Sequence, residues 1–171
     1  MYCAPHPPAL AGHVVHVPEG IGGVTQTLRT MREIVRAFRT NLEIRQTAAN
    51  LIFLTPAKND YSEIEALFHY VRDNIRYVRD IHDVETLSTP DKTMLMGYGD
   101  CDDKTVLLAS LAESVGYPTR FVVAGYSVPG SLEHVYLQIF GAGEWIDCDP
   151  TENQALGYFP PDPVTLIIEE V

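Results

Sequence analysis

Hydrophobic positions change their period along the chain. From Thr25, Leu28, Met31, Ile34, Val35 and Phe38 recur at helical spacing, with Arg29, Arg32, Arg36 and Arg39 on other faces. Before them, Glu19-Gly20-Ile21-Gly22-Gly23 reads as a turn-rich loop, and His13 to Val17 alternate like a short edge strand. A second amphipathic run holds Leu42, Ile44, Ala48, Leu51, Ile52 and Leu54 and stops before Pro56. A third takes Ser62 as its cap, with Glu65 three residues on, and buries Ile64, Leu67, Phe68, Val71 and Ile75. Tyr77 to Pro90 connects, and Lys92 to Met96 makes a short turn. A fourth helix follows Gly99-Asp100, carries Val106, Leu107, Ala109, Leu111, Ala112 and Val115 inward, and ends at Gly116.

After Gly116 the period falls to two. Thr119 to Tyr126, His134 to Phe140 and Glu144 to Asp149 read as strands. Val128-Pro129-Gly130-Ser131 and Gly141-Ala142-Gly143 serve as hairpin loops. Val164 to Ile168 offers a last strand. Helices first and an antiparallel meander afterwards predict an α+β fold, with helices packed on one side of a sheet.

Composition narrows the function. Twelve Lys and Arg against 23 Asp and Glu give a net charge of −11 in 171 residues. Such a chain repels phosphate backbones and anionic lipid, so neither a nucleic acid nor a membrane is an expected partner. It is long enough for one ordinary domain with its own core. The three cysteines, Cys3, Cys101 and Cys148, form no CxxC pair. That argues against a disulfide framework and a thiolate zinc site, and for a reducing, cytoplasmic setting; a component made there and assembled into a virion reads the same way. The proline-rich start lacks the basic and apolar regions of a secretory signal.

One constellation carries chemistry. Cys101 stands where Gly99-Asp100 passes into the fourth helix. Backbone N–H groups point outward there, and the helix dipole favours a thiolate, so the position is expected to lower the thiol pKa. The same N–H groups can hold an oxyanion. His134 opens a strand behind a flexible loop, where an imidazole can take the thiol proton. Asp149 closes the neighbouring strand and can hold the far ring nitrogen. Asp147 lies two residues earlier on the same strand face and is its rival. Cys148 alternates away from both and is expected in the core.

An ordered set of blocks surrounds these residues. Asn74-Ile75-Arg76-Tyr77-Val78 comes first, then Thr89-Pro90 and Gly97-Tyr98-Gly99-Asp100-Cys101-Asp102-Asp103. Gly116-Tyr117-Pro118-Thr119-Arg120-Phe121-Val122-Val123, Glu133-His134-Val135-Tyr136 and Trp145-Ile146-Asp147-Cys148-Asp149-Pro150-Thr151 follow. Together they resemble the bacterial transglutaminase-like core over about residues 60–151. The resemblance implies a papain-like α+β fold with Cys101 as nucleophile, His134 as base and Asp149 as orienter, and no cofactor. Where relatives often carry an aromatic residue directly after the histidine, this chain has Val135 and then Tyr136. Tyr98 is a candidate oxyanion donor by proximity alone. Residues 1–59 read as a lead-in with helices packed on a catalytic core at 60–171, within one compact domain. That lead-in is similar to those of transglutaminase-like proteins from tailed phages and prophages.

The resemblance implies acyl transfer through a thioester onto water or an amine, with a protein or peptide as substrate. A phage structural protein or a host protein is a compatible partner. The alternative is a binding or assembly protein that keeps the fold without turnover. Asp100, Asp102, Asp103, Asp147 and Asp149 lack the alternating spacing of a calcium loop, so no metal is expected. Asp102 and Asp103 read instead as acids complementing the helix dipole, which would oppose thiolate formation.

Overall fold

The computed structural model describes residues 21–79 and 86–171. Among the described residues, five helices and six strands run in the order α1 (Ile21–Phe38), α2 (Leu42–Phe53), α3 (Asp60–Asn74), β1 (Arg76–Tyr77), α4 (Pro90–Met96), β2 (Tyr98–Gly99), α5 (Cys101–Ser114), β3 (Thr119–Gly125), β4 (His134–Gly141), β5 (Glu144–Cys148) and β6 (Thr165–Glu170). The suggested strand at His13–Val17, and Cys3, lie outside the described residues.

α5 is the pillar of the fold. Every residue from Asp102 to Ala112 is buried, because α1 to α4 pack around the helix and β3 and β4 close its remaining face. A helix enclosed in this way needs apolar side chains on all its sides, and Val106, Leu107, Leu108, Ala109, Leu111 and Ala112 provide them. Each large one removes enough surface from water to contribute about 1.5–3 kcal/mol. Met31, Val35, Ile44, Ile64, Leu67 and Phe68 from the outer helices join the same core.

The main sheet has four antiparallel strands in the order β5-β4-β3-β6. Phe121 and Val123 of β3, and Val135, Leu137 and Ile139 of β4, face the helices, while Val122, Ala124 and Tyr136 cluster apart from that core. β4 and β5 are joined through Ala142 and Gly143, both at positive φ, the conformation of the tight turns that favour a right-handed hairpin twist. β6 lies along the outer edge of β3, and Arg32 of α1 ties it down through the Glu169 carboxylate and, at 2.8 Å, the Glu170 carbonyl. The tail is therefore a strand, as its apolar run predicted.

Three local expectations need correction. α1 begins at Ile21, so Gly22 and Gly23 are helical rather than looped. Their cost of about 1 kcal/mol each is outweighed by the packing of Leu28, Met31 and Val35. α3 is capped by Asn59, whose side chain accepts from the N–H of Ser62 at 3.1 Å, so Ser62 is inside the helix. Asn caps at least as well as Ser, and here Asp60 and Glu63 add acid to the first turn. The presumed turn at Lys92–Met96 belongs to α4, which has Thr89 at its cap position, Pro90 in its first turn and left-handed Gly97 (φ 68°) at its end.

Candidate functional site

β2 delivers the chain to Cys101. β1 and β2 form a parallel ladder pairing Arg76 with Tyr98 and Tyr77 with Gly99. Asp100 then caps α5, its Oδ1 accepting from the N–H groups of Asp102 (3.1 Å) and Asp103 (3.2 Å). Cys101 is thus the first residue of α5, as expected. Gly99 is required by packing. A Cβ there would lie 2.6 Å from Cβ of Asp103, whose Oδ1 accepts from the Ser88 N–H at 2.6 Å. Gly99→Ala is expected to destabilise the fold by about 1–3 kcal/mol as this turn shifts. Chemical denaturation checks it, together with a lower rate of Cys101 alkylation.

β4 is stitched to α5 beside the thiol. The Val135 backbone N–H lies close enough to Cys101 Sγ to favour its ionised form. The Val135 carbonyl accepts from Thr105 Oγ1 at 3.3 Å, one helical turn further on. The residue before Val135 is His134, which opens β4 as the sequence predicted. Its Nε2 lies 2.7 Å from Asp149 Oδ2. Asp149 itself is buried, and its Oδ1 accepts from Thr151 N (3.0 Å) and Thr151 Oγ1 (2.6 Å). Both carboxylate oxygens are occupied, and His134 Nδ1 is the ring nitrogen left for proton transfer elsewhere.

Asp147 makes a different set of contacts. Its Oδ1 accepts from Gln138 Nε2 at 2.6 Å, and Gln138 Oε1 accepts from Arg120 Nε at 2.7 Å. The Arg120 guanidinium in turn sits 4.2 Å over the Trp145 ring. The strand stops at Cys148, one residue short of the expected Asp149, and the partners of the two carboxylates differ: of the pair, only Asp149 bonds the imidazole. Tyr136, stacked on His134 at a ring distance of 6.0 Å, is fully buried, and its hydroxyl lies close enough to the Asp147 carboxylate for each to act on the other's ionisation.

The electrostatics correct one expectation. The Cys101 thiol is not lowered by its place at the helix start. Burial pushes it well above the ordinary thiol value, and the Asp102 and Asp100 carboxylates push it further; the Val135 N–H only partly opposes them. The thiol donates to Asp102 Oδ1 at 3.5 Å, and among the described residues it has no hydrogen bond to the His134 ring. For His134, burial works against the charged ring, but the hydrogen bond and charge of Asp149 outweigh it, and the pKa is raised. Burial also pulls the Asp149 carboxyl upward, yet its bonds to His134 and Thr151 hold it below the ordinary carboxylate value. Burial raises Asp147 in spite of Gln138.

Several residues at the site escaped the sequence reading. Thr151 had a signal, since a hydroxyl residue two positions after an aspartate forms an Asx-type turn. Val135 and Thr105 had none, because their roles run through the backbone of β4. Cys148 is buried, as expected. Among the described residues, no three His, Cys, Asp or Glu side chains gather in a metal-holding arrangement, and no helix is long and apolar enough to cross a membrane. Beside the site runs a groove of about 350 Å³ lined by Arg72, Arg76, Tyr77, Lys104, Thr151 and Asn153.

Known proteins share this architecture. A candidate cysteine protease from Cytophaga hutchinsonii superposes with a TM-score of 0.53 at 16% identity, over 75% of this chain and 50% of its own. A candidate protease from Parabacteroides distasonis gives 0.59 at 12% identity, over 75% of this chain and 26% of its own. The chain therefore spans half the length of the first and about a quarter of the second. Calcium-bound LapG of Legionella pneumophila gives 0.56 at 18% identity, over 84% of this chain and 87% of its own. At such identities the likeness establishes the papain-like, transglutaminase-like fold. No curated protein sequence matches. The sequence model of the transglutaminase-like superfamily, however, matches residues 45–150, more than half the chain and all three of Cys101, His134 and Asp149, so this protein belongs to the transglutaminase-like superfamily.

Proposed function

We propose that this protein cleaves amide bonds in a protein or peptide by acyl transfer through a Cys101 thioester, with His134 as base and Asp149 as its orienter. One observation carries the reading. The His134 ring is held by a buried carboxylate at 2.7 Å, and the next residue of β4, Val135, is tied through its carbonyl to Thr105 one turn along the helix that Cys101 opens. The solved structures of candidate proteases with this fold support it.

The chemistry balances with side chains alone. The thiol proton passes to His134 Nδ1, and the sulfur attacks the carbonyl carbon, forming a C–S bond as the C=O pair moves onto oxygen. When that pair returns, the C–N bond breaks, and the His134 proton goes to the departing amine. Water then attacks the thioester with His134 as base, releasing the acid and restoring the thiol. An amine in place of water would give a crosslink; the groove's openness to solvent and the absence of a lysine-docking feature in the sequence favour hydrolysis. Burial and the nearby carboxylates disfavour the thiolate, and the thiol donates to Asp102 Oδ1 at 3.5 Å, so this reading assigns proton transfer to the reaction step. A peptide of peptidoglycan, a particle protein and a host protein all fit this chemistry as substrates.

The pH dependence follows with a definite sign. Only a neutral imidazole accepts the thiol proton, and Asp149 raises the His134 pKa above its ordinary value of about 6.5. The rate is therefore expected to rise with pH through a midpoint above about 6.5. In Asp149→Asn the stabilising charge is gone while burial still disfavours the imidazolium, so the midpoint should fall below that of the wild type. A limb that does not move would remove Asp149 from the mechanism.

The second reading is a binding protein with an idle site. It draws on the thiol bonded to Asp102 rather than His134. Alkylation by iodoacetamide separates the two. Labelling of Cys101 that slows sharply in His134→Ala supports the enzyme, whereas slow labelling unchanged by that substitution supports the binding protein.

A further inference from the structure

Acyl transfer places a negative charge on the former carbonyl oxygen, and catalysis depends on donors already aimed at it. The N-terminus of α5 offers backbone N–H groups. The ladder between β1 and β2 decides which side chain can join them. Tyr98, nearest to Cys101 in sequence, pairs with Arg76, and Tyr77 pairs with Gly99. Alternation along a strand puts Tyr77 on the face of Gly99 and Tyr98 on the opposite face. The Gly99 face is the one turned toward α5, since a Cβ on Gly99 would meet the Asp103 side chain in the first turn of that helix. Tyr77 also lines the groove that ends at Thr151, whose hydroxyl lies 3.5 Å from His134 Nε2. The residue is 42% exposed and so is open to a substrate.

We propose that Tyr77 is the side-chain donor of the oxyanion hole, resting on the reading of Cys101 as nucleophile. As the C–S bond forms and the carbonyl pair moves onto oxygen, the Tyr77 O–H donates a hydrogen bond to that oxygen and keeps its own proton. Collapse of the oxyanion returns the pair and expels the leaving group, to which His134 gives the proton. The electrostatics agree with this role. Burial raises the Tyr77 pKa, so the phenol stays protonated, while the neighbouring Arg79 opposes the rise; a Cys101 thiolate and the Asp100 carboxylate are close enough to act on the same hydroxyl.

Two reactions at one sulfur test it. Iodoacetamide alkylates by displacing iodide at a saturated carbon and forms no oxyanion. p-Nitrophenyl acetate acylates through a tetrahedral oxyanion. Tyr77→Phe should slow acetylation of Cys101 by about 100-fold while changing alkylation by less than about twofold. The alkylation rate doubles as a check that the variant keeps its fold. Equal slowing of both reactions, unchanged acetylation, or a selective loss that falls on Tyr98→Phe instead would overturn the assignment. Wild-type protein that alkylates at Cys101 but is never acetylated there overturns the nucleophile reading along with it, and that outcome is distinct from a Tyr77→Phe variant that acetylates normally.

Discussion

Replacing Cys101 by alanine is expected to reduce acyl transfer by on the order of 10⁵-fold or more, to the background rate of the ester, with little loss of stability. The sulfur is the only protein atom that bonds to the acyl group in the proposed reaction, so no neighbour can stand in for it. The fold has little to lose. Cys101 is the first residue of α5 and is half-buried, and the cap that starts the helix comes from Asp100. Truncation also removes a group held between carboxylates that disfavour its ionised form. Mass mapping after treatment with p-nitrophenyl acetate should find acetyl on Cys101 in the wild type and none in the variant. Buried Cys148, in the core on the helix-facing side of β5, should stay unlabelled in both. Retained turnover in Cys101→Ala, with normal folding, would end the thioester mechanism.

The second large effect distinguishes Asp147 of β5 from Asp149, the residue just past its end. Asp149→Asn is expected to lower the rate by 100-fold or more, on the order of the loss seen when a triad carboxylate is neutralised. The surrounding bonds explain why asparagine cannot substitute quietly. Asp149 Oδ2 faces His134 Nε2, and Oδ1 accepts two bonds from Thr151. An amide turned with its NH₂ toward Thr151 leaves those donors without an acceptor. Turned the other way, it faces the imidazole with a donor and forces the ring proton onto Nδ1, the nitrogen that must accept from the thiol. In both orientations the charge that stabilises the imidazolium is lost. Asp147→Asn breaks contacts within the ladder of Gln138 and Arg120 and should change the rate by less than about tenfold, the cost of an indirect effect. Steady-state rates of the two variants decide the point, and the reverse order would move the orienting role to Asp147.

Much of this arrangement was legible in the residues. The apolar positions of α5 announced a helix packed into the core, though not that it is enclosed on every side, and Gly99-Asp100 announced where it begins. The period-two runs gave β3 to β6, and with them the adjacency of His134 and Asp149. Other features depend on facts that a linear chain does not display. Asp147 and Asp149 have the same parity, and only the partners brought by β4 and by the turn to Thr151 tell them apart. The Cys101 pKa is a sum of burial, two carboxylates and a distant backbone N–H. The helix dipole pointed the wrong way; the opposing Asp102 carboxylate was readable beside it, but the burial that outweighs both was not. The side of the β1–β2 ladder on which Tyr77 lies follows from a two-residue register, and proximity in sequence favoured Tyr98. Asn59 displaced Ser62 as a cap because two competent residues stood within three positions and the chain uses the earlier one.

Proton transfer from sulfur to imidazole is the claim on which the rest depends. The direct measurement is the rate of Cys101 acetylation against pH in the wild type and in His134→Ala. The wild-type rate should climb through a midpoint above about 6.5, set by the ring, whereas the variant should be slow until the far higher pH at which the buried thiol ionises unaided. Superimposable profiles for the two proteins would contradict the account.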